Sequence, residues 1–169
     1  MSSAHKALVR RFLEEIHNKG NLVAVEEFIH HDHVRHTNQT AGGGRDFHGP
    51  EGFRQAVGAF RRAFSGIHFT EDGLFADGDV VVLRWTFRGT HTGEFNGMPP
   101  TGRTVTATGV DILRIADGKI VERWAYDDGS LMRQLVRPSP GPQTDAAASM
   151  RRLPRPNASA SLTAWASSR

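Results

Sequence analysis

Two adjacent carboxylates, Asp127 and Asp128, stand between an alternating segment and a short amphipathic stretch that ends at Leu135. A carboxyl group drawn into a dry pocket has its pKa raised, so it can give up and take back a proton near neutrality. One of the pair is therefore a candidate general acid/base. The other stands where an Asp commonly caps a helix, here one over Gly129–Leu135, by accepting its first backbone N–H groups. If the strand runs on unbroken, Trp124, Tyr126 and Asp128 share a face and the pocket carboxyl is Asp128; a bulge reverses the choice in favour of Asp127. Tyr126 is the only tyrosine of the chain, and on the pocket face it could donate a hydrogen bond to a developing oxyanion.

His91 lies where its strand gives way to a Gly- and Pro-rich loop. From there an imidazole can hydrogen-bond a substrate oxygen or orient an Asp, or it can serve the backbone alone. His30, His31, His33 and His36 crowd one stretch around Asp32. They do not fall at the i, i+4 spacing of a helix face and no Glu-x-x-His partner follows, so no metal site is expected from them. Trp85, Trp124, Phe53, Phe60 and Met98 are core candidates by type. They are also the lining that a flat ligand would want.

The elements that would position these groups follow from periodicity. Leu8, Phe12, Leu13 and Ile16 recur at helical spacing between Ala4 and Lys19, with Ser2 or Ser3 as cap and Gly20 as stop. A shorter helix is expected over Leu22–Phe28. The following HHDHVRHTNQTAGGG is polar and Gly-terminated and reads as irregular. A third helix starts at Pro50 and carries Phe53, Val57, Phe60 and Phe64 on one face. After Gly66 the period becomes two: strands are expected at 67–75, at 81–88 with Val81, Leu83, Trp85 and Phe87 on one side, at 103–115, and from Ile120 through Trp124 and Tyr126. Helices followed by an antiparallel meander give an α+β fold in which three N-terminal helices cover one face of a curved sheet of four to six strands.

Composition narrows the function classes. The 169 residues suffice for one domain with a real core, and 38% hydrophobic residues including 10 Phe and 3 Trp can fill it. With no cysteine there is no disulfide scaffold, no thiolate nucleophile and no Cys-based metal site. The N-terminus has no uninterrupted apolar run, and no window reaches the roughly 20 apolar residues of a membrane span, so a cytoplasmic protein without membrane contact is expected. The net charge of +3 is uneven: residues 136–169 hold five Arg against one Asp, which leaves residues 1–135 at −1. A nucleic-acid binder should carry its basic groups on a folded face, so no such partner is expected. The tail, rich in Pro, Ala, Ser and Arg, is expected to be disordered and separate from the domain at 1–135.

Residues 89–135 carry a more specific pattern. Gly89, His91 and Gly93 form a G-x-H-x-G strand end, Pro99 to Gly102 a P-P-T-G loop, and Asp117 to Ile120 a D-G-K-I turn. Glu122 and Trp124 precede the Asp pair, and Leu131, Gln134 and Leu135 end the segment. With these motifs the chain resembles the SnoaL-like polyketide cyclases, a branch of the superfamily sharing the cone of nuclear transport factor 2 and ketosteroid isomerase. The resemblance extends over residues 1–135. It implies an intramolecular aldol closure of a polyketide-like small molecule, one Asp as acid/base, and no metal or cofactor. Counting back from the terminal helix in the family's spacing points to Asp127 as that Asp, against strand parity. The family's matching loop borders its pocket, which implies ligand contacts for His36 or Asn38. It also implies a homodimer paired through the open sheet face, where Val80, Val82, Val110 and Ile112 need cover.

Two other functions stay open on the sequence. Epoxide hydrolases and hydroxylase-like enzymes use the same fold, and the hydrolases need an Asp–Arg–Asp set that places a water. Arg84, Arg88, Asp111 and Asp127 are available for it, but no motif binds them together. A non-catalytic binding or association module would instead have its interior filled by its own side chains.

Overall fold

Helix α1 spans Ser2–Phe12 and buries Val9 and Phe12. The helical path then widens into a π-turn over Leu13–Asn18, closed by the Lys19 N–H donating to the Glu14 carbonyl at 2.9 Å. A 3₁₀ turn at Leu22–Ala24 leads into α2, Val25–Phe28. Helix α3, Gly49–Ala63, takes Pro50 in its first turn, where the missing N–H costs nothing, and turns Phe53, Val57 and Ala63 inward. A last short helix, α4, covers Ser130–Val136. The computed structural model describes residues 2–37 and 47–137; Asn38 and the basic tail from residue 138 lie outside them.

Six strands form one curved sheet in the order β2-β1-β6-β5-β4-β3. They are β1 Ile29–Thr37, β2 Phe47–His48, β3 Phe64–Asp77, β4 Val80–His91, β5 Thr104–Ala116 and β6 Lys119–Asp127. The expected α+β architecture is present, with two corrections. The His-rich stretch is strand β1, not a loop, so α3 follows a strand. β1 also pairs parallel with β6, which makes the sheet mixed, while β3 to β6 run as the expected antiparallel meander. β3 is longer than expected at both ends, and its register shifts between Ser65 and His68 and between Glu71 and Gly73. Bulges of this kind bend a strand and increase its twist, and here they curl the sheet around the helices.

The helices pack into the concave face. Phe12, Phe28, Phe53 and Val57 meet Val81, Leu83, Leu113, Ile115 and Ile120 in one cluster. A second joins Phe64, Phe87, Val105 and Leu135, with Phe60, Phe95 and Met98 packed against it. Each fully buried Phe contributes roughly 2–3 kcal/mol of transfer free energy, so the two clusters supply the main drive for curling. Between them the concave face stays unfilled.

Gly109 on β5 shows how close the sheet comes to its own side chains. A Cβ there would collide with the Trp85 ring and lie 2.5 Å from the Tyr126 carbonyl oxygen. Gly109→Ala is expected to lose about 1–3 kcal/mol through overpacking. Thermal unfolding reads the loss, and altered tryptophan fluorescence reports displacement of Trp85 toward the unfilled interior.

Candidate active site

On β6 Ile120 lies in the core; a register shift between Ile120 and Glu122 then changes the parity, and beyond it the odd positions face inward. Val121 and Arg123 are buried, and Arg123, Ala125 and Asp127 line a cavity of about 360 Å³ between sheet and helices. On β1 the same alternation turns His33 and Arg35 inward and Val34 and His36 outward, and on β5 it turns Ala107 and Asp111 inward. The α3 residues Phe53, Val57 and Phe60, with Phe69, Trp85 and Phe87 from the sheet, give the cavity aromatic walls. Leu131 and Met132 of α4 close one side, and Glu94 and Asn96 stand in the loop at the mouth. The interior is thus apolar on most sides, with a polar floor.

That floor is built on a buried ion pair. Arg123 Nη2 lies 2.6 Å from Asp111 Oδ2, with side chains 8% and 2% exposed. Arg123 Nη1 reaches toward His17 Nε2 at 3.5 Å, and its guanidinium sits over the rings of Phe12 and Phe53. His17, at the end of the π-turn, is packed by Phe12, Phe53 and Phe69. Burial, and then the charges of Arg123, Arg35 and Arg61, hold its pKa well below the ordinary histidine value, so its ring is neutral at pH 7. Arg35 is pushed down to about 10, by burial and by Arg123, against the opposing pull of Asp111 and Asp127, and remains a cation.

The two adjacent carboxylates separate. Asp127 lines the cavity, and its Oδ1 accepts the Gly129 N–H at 2.6 Å. Asp128 faces the other side of the sheet, accepting from the Ser130 N–H at 2.9 Å and from the Thr108 hydroxyl at 3.1 Å. Burial opposes ionisation of Asp128, but the hydrogen bonds from Ser130 and Thr108 outweigh it and hold the carboxyl below its ordinary value. Trp124 shares this outer face, where it stacks on His36 at 5.0 Å, so neither residue lines the cavity. Tyr126, 42% exposed, and Asp127 stand at the rim and border both the cavity and a shallow outer groove that also contains Asp72, Arg84, Thr108 and Asp128.

Of the other expected site residues, Trp85, Phe53 and Phe60 line the cavity, while Met98 packs in the mouth cluster beside Phe95. His91 is fully buried outside the cavity lining. Its Nδ1 accepts the Thr101 N–H at 3.2 Å, and its backbone bonds Arg103 and Gly102. It thereby ties the P-P-T-G loop to the end of β4. Gly93 closes the same corner: its N–H donates to the Ala63 carbonyl, and a Cβ there would strike the Arg62 carbonyl. His30, His31 and Asp32 cluster on the exposed outer part of β1, with His31 Nε2 2.9 Å from Asp32 Oδ2. Arg84 and Arg88 are exposed on the outer face, so the Asp–Arg–Asp set expected of a hydrolase is not assembled from them. His17, Arg35 and Arg123 were not expected at the site. The available signal was a charged residue at a core-parity position, as with Arg123 between Val121 and Ala125.

The curled α+β cone thus encloses an aromatic, partly charged cavity with Asp127 in its lining. The family model for SnoaL-like polyketide cyclases matches residues 7–135, and the chain belongs to that family. It is 35% identical over 138 residues to the aklanonic acid methyl ester cyclase DauD of Streptomyces sp. (strain C5), covering 80% of this chain and 84% of the relative. The nogalonic acid methyl ester cyclase of Streptomyces nogalater is 35% identical over 127 residues, 73% of this chain and 91% of the relative. Among solved structures, TsrD from Streptomyces laurentii superposes with a TM-score of 0.70 at 28% identity, covering 80% of this chain and 97% of that one. The chain is accordingly a polyketide cyclase-type enzyme. Among the described residues, no helix is long and apolar enough to cross a membrane.

The buried histidines set an acid limit on stability. Burial, and then the charges of Arg123 and Arg35, push His33 down to about 4. Below the ordinary value near 6.5 the unfolded chain binds a proton that the folded one refuses. Stability is therefore full above about pH 6.5 and falls as pH drops toward 4, by up to about 3 kcal/mol from this residue. His33→Phe keeps a ring against Phe53 and is expected to flatten the fall of the thermal midpoint with pH. Part of the slope remains, because His17 acts in the same direction.

Proposed function

We propose that the chain closes a ring within one carbonyl-rich, polyketide-like molecule by intramolecular aldol addition, with Asp127 carrying the proton. The carboxylate takes a proton from a carbon activated by a neighbouring carbonyl. The resulting enolate carbon attacks a second carbonyl of the same molecule, forming a C–C bond, and the new alkoxide takes the proton back from Asp127. Atoms and charge balance within one substrate and one residue, so the step needs no oxidant or metal. The carrying observation is the split of the pair. Asp127 is in the cavity with Oδ1 held by Gly129, and Asp128 is outside and occupied by Ser130 and Thr108. Aromatic walls orient a flat substrate and exclude water, and the family's cyclase relatives support this chemistry.

Asp127→Asn keeps the shape and removes the titrating group. Turnover of a carbonyl-rich polyketide substrate that the wild type accepts is expected to fall by roughly 10²–10⁴ with the fold intact. Asp128→Ala is expected to lose about 1 kcal/mol of stability with turnover largely kept. The opposite pattern would make Asp128 the acid/base, and unchanged turnover in both variants would overturn the mechanism.

The outer face suggests how the protein assembles in its cytoplasmic setting. Val80, Val82, Val110 and Ile112 remain half-exposed in the single chain, an apolar strip that a second copy would cover. Sedimentation at micromolar concentration is expected to show a dimer; a monomer would overturn the pairing.

A further inference from the structure

The cavity floor holds two guanidinium groups, and they are treated differently. Arg123 is in contact with Asp111. Arg35 is not: among the described residues no carboxylate comes within ion-pair distance of it, and its buried Nε has no hydrogen-bond partner. Its contact is the Phe47 ring, 5.6 Å from the guanidinium carbon. The opposing charges of Asp111 and Asp127 act on it from a distance, and Asp127 Oδ1 is already engaged by Gly129. Arg35 is partly buried, and a guanidinium that lines the cavity with no anion in contact is open to a ligand that supplies one. The planar fork of an arginine fits a carboxylate with two parallel hydrogen bonds, a match that an uncharged ester cannot make.

We propose that Arg35 selects a substrate bearing a free carboxylate, anchoring that group at the cavity floor while the carbonyl-rich ring system lies against the aromatic walls near Asp127. This rests on the ring-closing function proposed above and narrows its substrate class to an acid. The relatives DauD and the cyclase of Streptomyces nogalater are, by contrast, named for methyl esters.

Anthraquinone-2-carboxylic acid and its methyl ester test the assignment, being flat, carbonyl-bearing and different only in charge. Binding to the full chain is followed by calorimetry and tryptophan quenching at pH 7.5. The acid is expected to bind the wild type about 10- to 100-fold more tightly than the ester, the worth of a charge-assisted hydrogen-bonded pair. Arg35→Met should bring the acid down to the ester's affinity and leave the ester unchanged, and Arg35→Lys should keep part of the preference. Equal binding of acid and ester by the wild type overturns the carboxylate assignment while leaving the ring-closing function standing, and it needs no variant to fold. Binding of neither probe removes the aromatic cavity as a polycyclic site and both proposals with it. An Arg35→Met protein that keeps the acid preference but shifts the pH profile of turnover would show that Arg35 serves Asp127, and would also overturn the assignment.

Discussion

The contact between Asp111 and Arg123 constrains the whole concave face. Two charges drawn out of water cost several kcal/mol each, and only close, well-directed contact offsets this. The contact exists because β5 and β6 keep one register from Gly109 to Arg114, with Asp111 opposite Ala125 and Leu113 opposite Arg123, which places the two side chains diagonally on the inner face. A slip of one residue on either strand would turn one of the charges to solvent and leave the other buried alone. The pair thus penalises misregistered sheets, and it reserves space: a floor of charged groups cannot be packed shut by Phe53 or Val57, so the cone stays open above it. The cavity follows from the same parity that forms the core, with polar residues substituted where apolar ones would have closed it.

That substitution also explains what was legible in the sequence. Helices α1 and α3 and strands β4 and β5 follow the apolar period, because their inward residues, such as Phe12, Phe53, Leu83 and Leu113, are hydrophobic. Strand β1 carries a register shift between Ile29 and Val34, and beyond it the inward residues are His33 and Arg35, which a hydrophobic pattern cannot register. Its paired positions on the parallel partner β6 are 88 or more residues away in sequence, so no turn marks the pairing either. The same blindness hid the site. Asp127 and the aromatic lining came from residue types and family spacing, whereas His17 reached the cavity through a π-turn that shifts the helical phase by one residue over Leu13–Asn18.

His91 and Trp124 show the converse, motif residues whose place is structural. The Thr101 N–H and the backbone of Gly102 and Arg103 converge on His91, so the G-x-H-x-G and P-P-T-G motifs are two halves of one corner. That corner fixes the end of β4 against the C-terminus of α3 and so sets the mouth where Phe95 and Asn96 stand. Trp124 and His36, stacked on the outer face, hold β1 to β6 at the register point where they are partners. The strand carrying Arg35 is thereby fixed one residue away from the stack.

Parity and spacing gave opposite answers for the two adjacent carboxylates, and the physical resolution lies in which face of β6 is interior. Trp124, Tyr126 and Asp128 do alternate together, but the buried member of the strand is Arg123, so their shared face is the outer one. Ile120 is on the inner face, and the register shift between it and Glu122 reverses the parity, so Trp124 and Tyr126 do not share the face of Ile120. Burial of Arg123 is affordable only with Asp111 beside it, and that pairing fixes the phase of the strand for every residue after it. Four residues on, the phase delivers Asp127 to the cavity, and the strand ends there because the Asp128 N–H bonds the Thr108 carbonyl and its carboxylate receives the Ser130 N–H. The placement of the two carboxylates on opposite faces of the sheet is thus set upstream, by the phase of the strand around the buried ion pair.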